Sequence, residues 1–159
     1  MITGTPGTGK TDISKVLAKV LKLELINEKQ FALKKGIGEW DTLENELEIP
    51  IKKLERELNL ELMHKKNVIV EGHLLCETKL KVDYAILLRI HPEVLETRLE
   101  SRGYSMPKVQ DNVFAEGIDY CKKHLEKIYP KSKIIEVNAS KSVKETAKEI
   151  ISELEKRKQ

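Results

Sequence analysis

Cysteine, tryptophan and aromatic residues in general are scarce in this sequence, and each scarcity excludes something. Only two cysteines occur in 159 residues, Cys76 and Cys121, and they stand alone without metal-ligand spacing. That excludes a disulfide scaffold and a cysteine-based zinc site, and both read as buried, reduced thiols. With aromatics at 4%, the core must be built from Leu, Ile and Val. No apolar run approaches the ~20 residues needed to span a membrane, and no signal-peptide pattern opens the chain. A cytoplasmic protein is therefore expected. The net charge of +3 is too mild for a nucleic-acid-binding face, and no direct nucleic-acid motif occurs. There is no repeat, linker or low-complexity stretch, so residues 1–159 read as one domain. Charged residues, mostly Lys and Glu, make up 35% of the chain, a bias compatible with a heat-adapted source.

What is present is concentrated near the start. Gly4-Thr5-Pro6-Gly7-Thr8-Gly9-Lys10-Thr11 matches G-x-x-x-x-G-K-[ST], the phosphate-binding P-loop. Glycines let the backbone wrap a phosphate with its N–H groups turned inward, and the following helix directs its positive end at the same anion. Lys10 is placed to reach the β- and γ-phosphates of ATP, and the Thr11 hydroxyl to hold Mg²⁺.

The context fits. Met1-Ile2-Thr3 is a short first strand, and Ile13, Val16, Leu17, Val20 and Leu21 form one helical face after the loop. Glu24-Leu25-Ile26 is β-capable, and Asn27 with Gln30 predicts a capped helix that Gly36 ends. Residues 37–50 read as an irregular acidic loop, followed by a helix from Pro50 to His64. Val68-Ile69-Val70 and Tyr84-Ala85-Ile86-Leu87-Leu88 read as buried strands. A helix opens at Pro92 with Val94, Leu95 and Leu99 inward, and Gly103 and Pro107 bracket a turn. A long helix is expected from Lys108 to Tyr129, then a strand at residues 134–137 and a closing helix that frays from Lys156. Alternating strands and helices predict an α/β fold: a three-layer parallel sheet flanked by helices.

Three further signals bear on chemistry. Glu71 ends the Val68-Ile69-Val70 run, where an acid faces the phosphate crevice and can hold the water shell of Mg²⁺. His73 lies two residues on and could orient a water, accept a proton, contact an acceptor nucleotide, or simply bond a neighbouring loop. Only five of the 29 basic residues are arginines, yet Arg89, Arg98 and Arg102 fall close together. Their planar, bidentate heads suit a phosphate clamp, with a surface ion-pair network involving Glu96 and Glu100 as the alternative. The loop at residues 37–50, with Trp40, could be a flap over an acceptor site, a docking surface for a basic partner, or plain solvated chain.

On these residues the whole chain resembles the adenylate-kinase-like NTPases often called adenylate kinase isoenzyme six, implicated in small ribosomal subunit maturation. The particular motifs are Val68-Ile69-Val70-Glu71-Gly72-His73 and Arg98-Leu99-Glu100-Ser101-Arg102-Gly103-Tyr104, with Asp111-Asn112-Val113 and Glu116. The resemblance implies a nucleoside monophosphate kinase fold with an acceptor segment near residues 27–50 and a short lid near 101–111. It implies ATP contacts from Gly7, Gly9, Lys10, Thr11 and Asp12, a clamp by Arg102, and a place beside adenine for the loop carrying Lys141. It ties Glu71 and His73 to ATP hydrolysis. It also implies AMP or another nucleoside monophosphate as acceptor, Mg²⁺ as cofactor, and a ribosomal partner of the S11 type. The sequence departs from the family in its short first strand, in Asp12 where a second hydroxyl is common, and in Glu71 where Asp is frequent. The lid has no cysteines, which excludes a zinc-bearing lid.

Three functions compete at this point. The first is transfer of the ATP γ-phosphate to a monophosphate. The second is an assembly ATPase with little kinase activity. The third is a small-metabolite kinase of the shikimate-kinase type, which shares the P-loop and fold but gains nothing from the later motifs.

Overall fold

The structure is a computed structural model and describes residues 1–159. Five parallel strands form one sheet: β1 (Ile2–Thr3), β2 (Glu24–Asn27), β5 (Val68–Glu71), β6 (Ala85–Arg89) and β7 (Ile134–Asn138). Their order is β2-β5-β1-β6-β7, so the shortest strand is central. Ile2 pairs with Glu71 on one side and with Ile86 on the other, and Thr3 pairs with Leu87.

Alternation along β6 shows how the layers are filled. Ala85 and Leu87 face one core with Val70, joined by Phe31 of α2 (Glu28–Lys35), Leu54 and Leu58 of α3 (Ile51–Met63), and Leu125 of α6 (Tyr120–Ile128). Ile86 and Leu88 face the opposite core with Ile69, Ile135 and Val137. There Ile13 and Leu17 of α1 (Lys10–Leu21) and Ile150 of α7 (Val143–Lys158) close over the sheet. The expected three-layer arrangement is present, because strands buried on both faces need helices on both. A smaller cluster of Ile90, Leu95, Leu99 and Val109 joins α4 (Pro92–Ser101) to α5 (Met106–Gly117).

The structure corrects four expectations. Residues 37–50 are not irregular: β3 (Glu39–Asp41) and β4 (Glu46–Glu48) form an antiparallel hairpin. Its turn is held by the Asp41 carboxylate, which accepts from Leu43 N–H at 2.8 Å and Glu44 N–H at 3.2 Å. Three-residue strands with acids opposite acids carry too little pattern to be read from sequence. The long helix 108–129 is two helices, broken where Asp119 adopts φ 59°. Arg89 accounts for the break, since it binds both the Asp119 carboxylate and the Glu116 carbonyl. Val20 and Val94 point outward instead of joining the core. The last turn of α7 is tied down by Arg157, which donates to Ser132 O at 2.7 Å and Ile134 O at 3.3 Å. Cys76 and Cys121 are buried and form no disulfide, as the sequence suggested.

Candidate phosphate-handling site

The P-loop leaves the C-terminal tip of β1 and enters α1 through Gly9, whose φ of 93° and ψ of 19° place it in the left-handed region. Gly7, at φ 92°, is needed for a second reason. A Cβ there would stand 2.8 Å from Leu95 Cδ1 and 2.8 Å from Leu99 Cδ2, so α4 packs directly against the loop. Gly7→Ala therefore meets both backbone strain and overpacking. It should cost about 1–3 kcal/mol in chemical denaturation and raise KM for ATP, because the loop must move off α4.

Lys10 is buried, and its ammonium donates to Gly4 O at 2.9 Å and Thr5 O at 3.0 Å. Burial lowers its pKa, against the pull of Glu28 and Glu71 nearby. The Thr11 hydroxyl donates to Glu71 Oε1 at 3.2 Å, so the two residues expected to share a metal do stand together. Both are hard oxygen donors at the phosphate end of the loop, and that donor set fits Mg²⁺. Asn27, read only as a helix cap, does two jobs. Its Oδ1 accepts from Gln30 N–H at 2.9 Å, and its Nδ2 donates to Glu71 Oε1. Asp12 lies exposed in the first turn of α1, where its charge favours the helix dipole, and it makes no ion pair.

His73 sits at the tip of β5 with its side chain about half exposed, its Nδ1 3.2 Å from Glu28 Oε1. Partial burial, then the Lys10 ammonium, hold the imidazole below its ordinary range, so the ring is neutral near pH 7. Glu28 was missed by sequence reasoning. It opens α2, and its carboxylate accepts from Leu74 N–H. Burial pushes it up to about 7, opposed by that N–H and by Lys10. No local signal marks it, because its partners come from another part of the chain.

On the other flank of the loop, Thr8, Gly9, Ile13, Arg98, Arg102, Ala139, Lys141 and Val143 line a cavity of about 130 Å³. Three residues expected at the nucleotide, Gly9, Arg102 and Lys141, thus share one mouth, separate from the Glu71 and His73 flank. Arg98 donates to Ala139 O at 3.1 Å, and neither Arg98 nor Arg102 pairs with Glu96, Glu100 or any other acid. Burial and the Arg102 charge both lower the Arg98 pKa. Lys141 is less committed to the mouth, since its ammonium pairs with Glu149 at 2.8 Å.

Arg89 does not join the clamp. It is consumed by Glu116 at 2.8 Å, by Asp119, and by Glu136 at 3.2 Å. Glu116 in turn accepts from the Thr5 hydroxyl at 2.6 Å and from Ile90 N–H at 3.2 Å, which ties the P-loop to the end of α5. At the other end of α5, Lys108 reaches the hairpin, donating to Glu44 O and Glu46 Oε1 at 2.8 Å each.

Comparisons with known proteins agree with the fold. The AAA domain family matches residues 1–119. A Thermococcus kodakarensis KOD1 protein named "Putative adenylate kinase" is 41% identical over 95% of this chain and 82% of its own length. A Methanocaldococcus jannaschii protein of the same name is 36% identical over 99% of this chain and 86% of its own. Among solved structures, shikimate kinase from Aquifex aeolicus vf5 superimposes with a TM-score of 0.67 at 21% identity, covering 97% of this chain and 94% of that one. A gluconokinase from Sinorhizobium meliloti 1021 gives 0.63 at 16%, over 98% and 90%. At such identities these two structures speak for the fold alone.

Proposed function

This chain belongs to the archaeal adenylate-kinase family of P-loop proteins, and from that premise we propose that it transfers the γ-phosphate of ATP to AMP or another nucleoside monophosphate. The observation that carries the reading is the pair Arg98 and Arg102, side by side next to Thr8 and Gly9 with no carboxylate to neutralise them. Unpaired guanidinium groups at the mouth of a P-loop suit the charge that spreads over equatorial oxygens during phosphoryl transfer. In this reading the backbone of Gly7 and Gly9 cradles the phosphates while Lys10 leaves the Gly4 and Thr5 carbonyls for the β- and γ-oxygens. Thr11 and Glu71 hold Mg²⁺, which supplies charge neutralisation when bound. Arg102 clamps ATP, Lys141 borders the adenine, and Asp12 lies at the edge of the phosphate site. The hairpin segment near 27–50 and the short lid near 101–111 close over the acceptor and exclude water, with Lys108 joining the two.

A second reading, an ATPase serving ribosome assembly with a basic S11-type partner, draws support from the hairpin. Its acids Glu39, Asp41, Glu44, Glu46 and Glu48 flank the exposed Trp40 and Leu43. ADP formation from Mg-ATP, measured with and without AMP, separates the two. We expect turnover to rise at least ~10-fold when AMP is added. Turnover indifferent to AMP, but raised by a basic small-subunit protein, would favour the second. No helix is long and apolar enough to cross a membrane.

A further inference from the structure

Glu28 costs the fold something, because a carboxylate at this depth loses its water and needs compensation. Its side chain is only 3% exposed, whereas the His73 side chain it touches is 51% exposed. The Leu74 N–H approaches its two oxygens at 3.2 and 3.1 Å, so Glu28 is anchored by the residue that follows the histidine. The chain also leaves room for it. A Cβ at Gly72 would stand 2.0 Å from Glu28 Oε2, so any other residue between Glu71 and His73 would evict the carboxylate. The Thr3 hydroxyl donates to His73 O at 3.4 Å and the Thr11 hydroxyl to Glu71 Oε1 at 3.2 Å, so the strand end that carries His73 adjoins the phosphate end of the P-loop. His73 Nε2 has no protein partner, whereas Nδ1 lies 3.2 Å from Glu28 Oε1.

We propose that Glu28 is a positioning residue acting through His73: it holds the ring by Nδ1 and leaves Nε2, with its lone pair, free at the phosphate crevice. The inference rests on the reading of this crevice as the site of ATP turnover, and it names which atom of His73 meets the attacking water there. In a neutral imidazole one nitrogen carries the proton and the other accepts. Above about pH 7, where Glu28 is ionised, its carboxylate facing Nδ1 favours the Nδ1–H form, so Nε2 becomes the acceptor. Without that partner the ring is free to turn and to populate the other tautomer, whose Nε2–H can only donate. A purely structural Glu28, present to satisfy the Leu74 N–H, would be replaced by glutamine at little loss, because an amide oxygen accepts that bond equally well. Glutamine would also present its NH₂ to Nδ1 and so drive the proton to Nε2. The two roles therefore predict different results for one substitution.

The test compares the wild type, Glu28→Gln, His73→Ala and the double variant, all as the full chain. Nitrogen-15 spectra of the imidazole rings at about pH 8 report the tautomer directly, and His73→Ala identifies the signal. We expect Nδ1–H in the wild type and Nε2–H in Glu28→Gln. In steady state, Glu28→Gln should lower kcat for ATP hydrolysis about 10–100-fold, with KM for ATP moving less than about threefold. Placed on His73→Ala, it should cost nothing further. An unchanged tautomer, or a loss of equal size in the His73→Ala background, would overturn the proposal. A wild type that does not turn over Mg-ATP would instead overturn the phosphotransferase reading, and the ring spectra would still decide the role of Glu28.

Discussion

Lys10→Met should lower ADP production from Mg-ATP by about 10²–10³-fold or more while leaving the protein folded. In the proposed reading the loss follows from removing the cation set aside for the β- and γ-oxygens, which in this structure donates to the Gly4 and Thr5 carbonyls. The preserved fold follows from the state of the lysine itself. Its ammonium is buried and its pKa lowered by that burial, so the folded chain bears a desolvation cost that methionine removes. Methionine fills the space of the stem but abandons two carbonyl oxygens, one of which, on Thr5, keeps the Thr8 hydroxyl at 2.9 Å. The opposing effects should leave stability within about 1 kcal/mol of the wild type. Chemical denaturation and ADP assay on the same preparation check both halves. Turnover near the wild-type rate would remove the P-loop from the mechanism.

Glu116→Ala should give the largest loss of stability among the polar substitutions considered, about 3 kcal/mol, or roughly 6–12 °C in Tm for a chain of this size. One buried carboxylate serves the Thr5 hydroxyl at 2.6 Å, the Arg89 guanidinium at 2.8 Å and the Ile90 N–H at 3.2 Å. Alanine leaves all three without that partner. Arg89 keeps Asp119 and Glu136, which holds the cost near the lower end of what breaking a buried ion pair entails. Glu116→Gln retains the volume and one acceptor and should lose about 1–2 kcal/mol. Because Thr5 belongs to the P-loop, both variants should also raise KM for ATP at temperatures where they remain folded. A stable Glu116→Ala with unchanged KM would mean that the loop holds its shape without this brace.

The fold was largely legible because its signals are local. A β-branched run such as Val68-Ile69-Val70 fits a strand buried on both faces, and the structure places Ile69 and Val70 in opposite cores. The 3.6-residue period of Ile13 and Leu17 likewise required only a neighbouring layer. The hairpin at β3 and β4 was not legible, since alternation over three residues is no pattern and its acids oppose pairing. The break at Asp119 was hidden for another reason. Nothing in the helical period of residues 108–129 shows that Arg89 will hold two points of that segment at once.

At the site, the sequence by itself determined the P-loop, the acid at the end of β5 and the order along the chain of the five strands of the main sheet. Glycine spacing, a lysine and hydroxyl at fixed offsets, and apolar periodicity are properties of short stretches, and short stretches impose them wherever they lie. Only the tertiary structure decided how the arginines divide, with Arg89 spent on an internal network and Arg98 with Arg102 left open to an anion. It also brought Glu28 under His73 and Glu116 to Thr5, the latter across 111 residues. Such partners are chosen by which strands become neighbours in the sheet and by which helices cover them. Until the strand order β2-β5-β1-β6-β7 is fixed, a lone acid in the sequence has no partner to be read against.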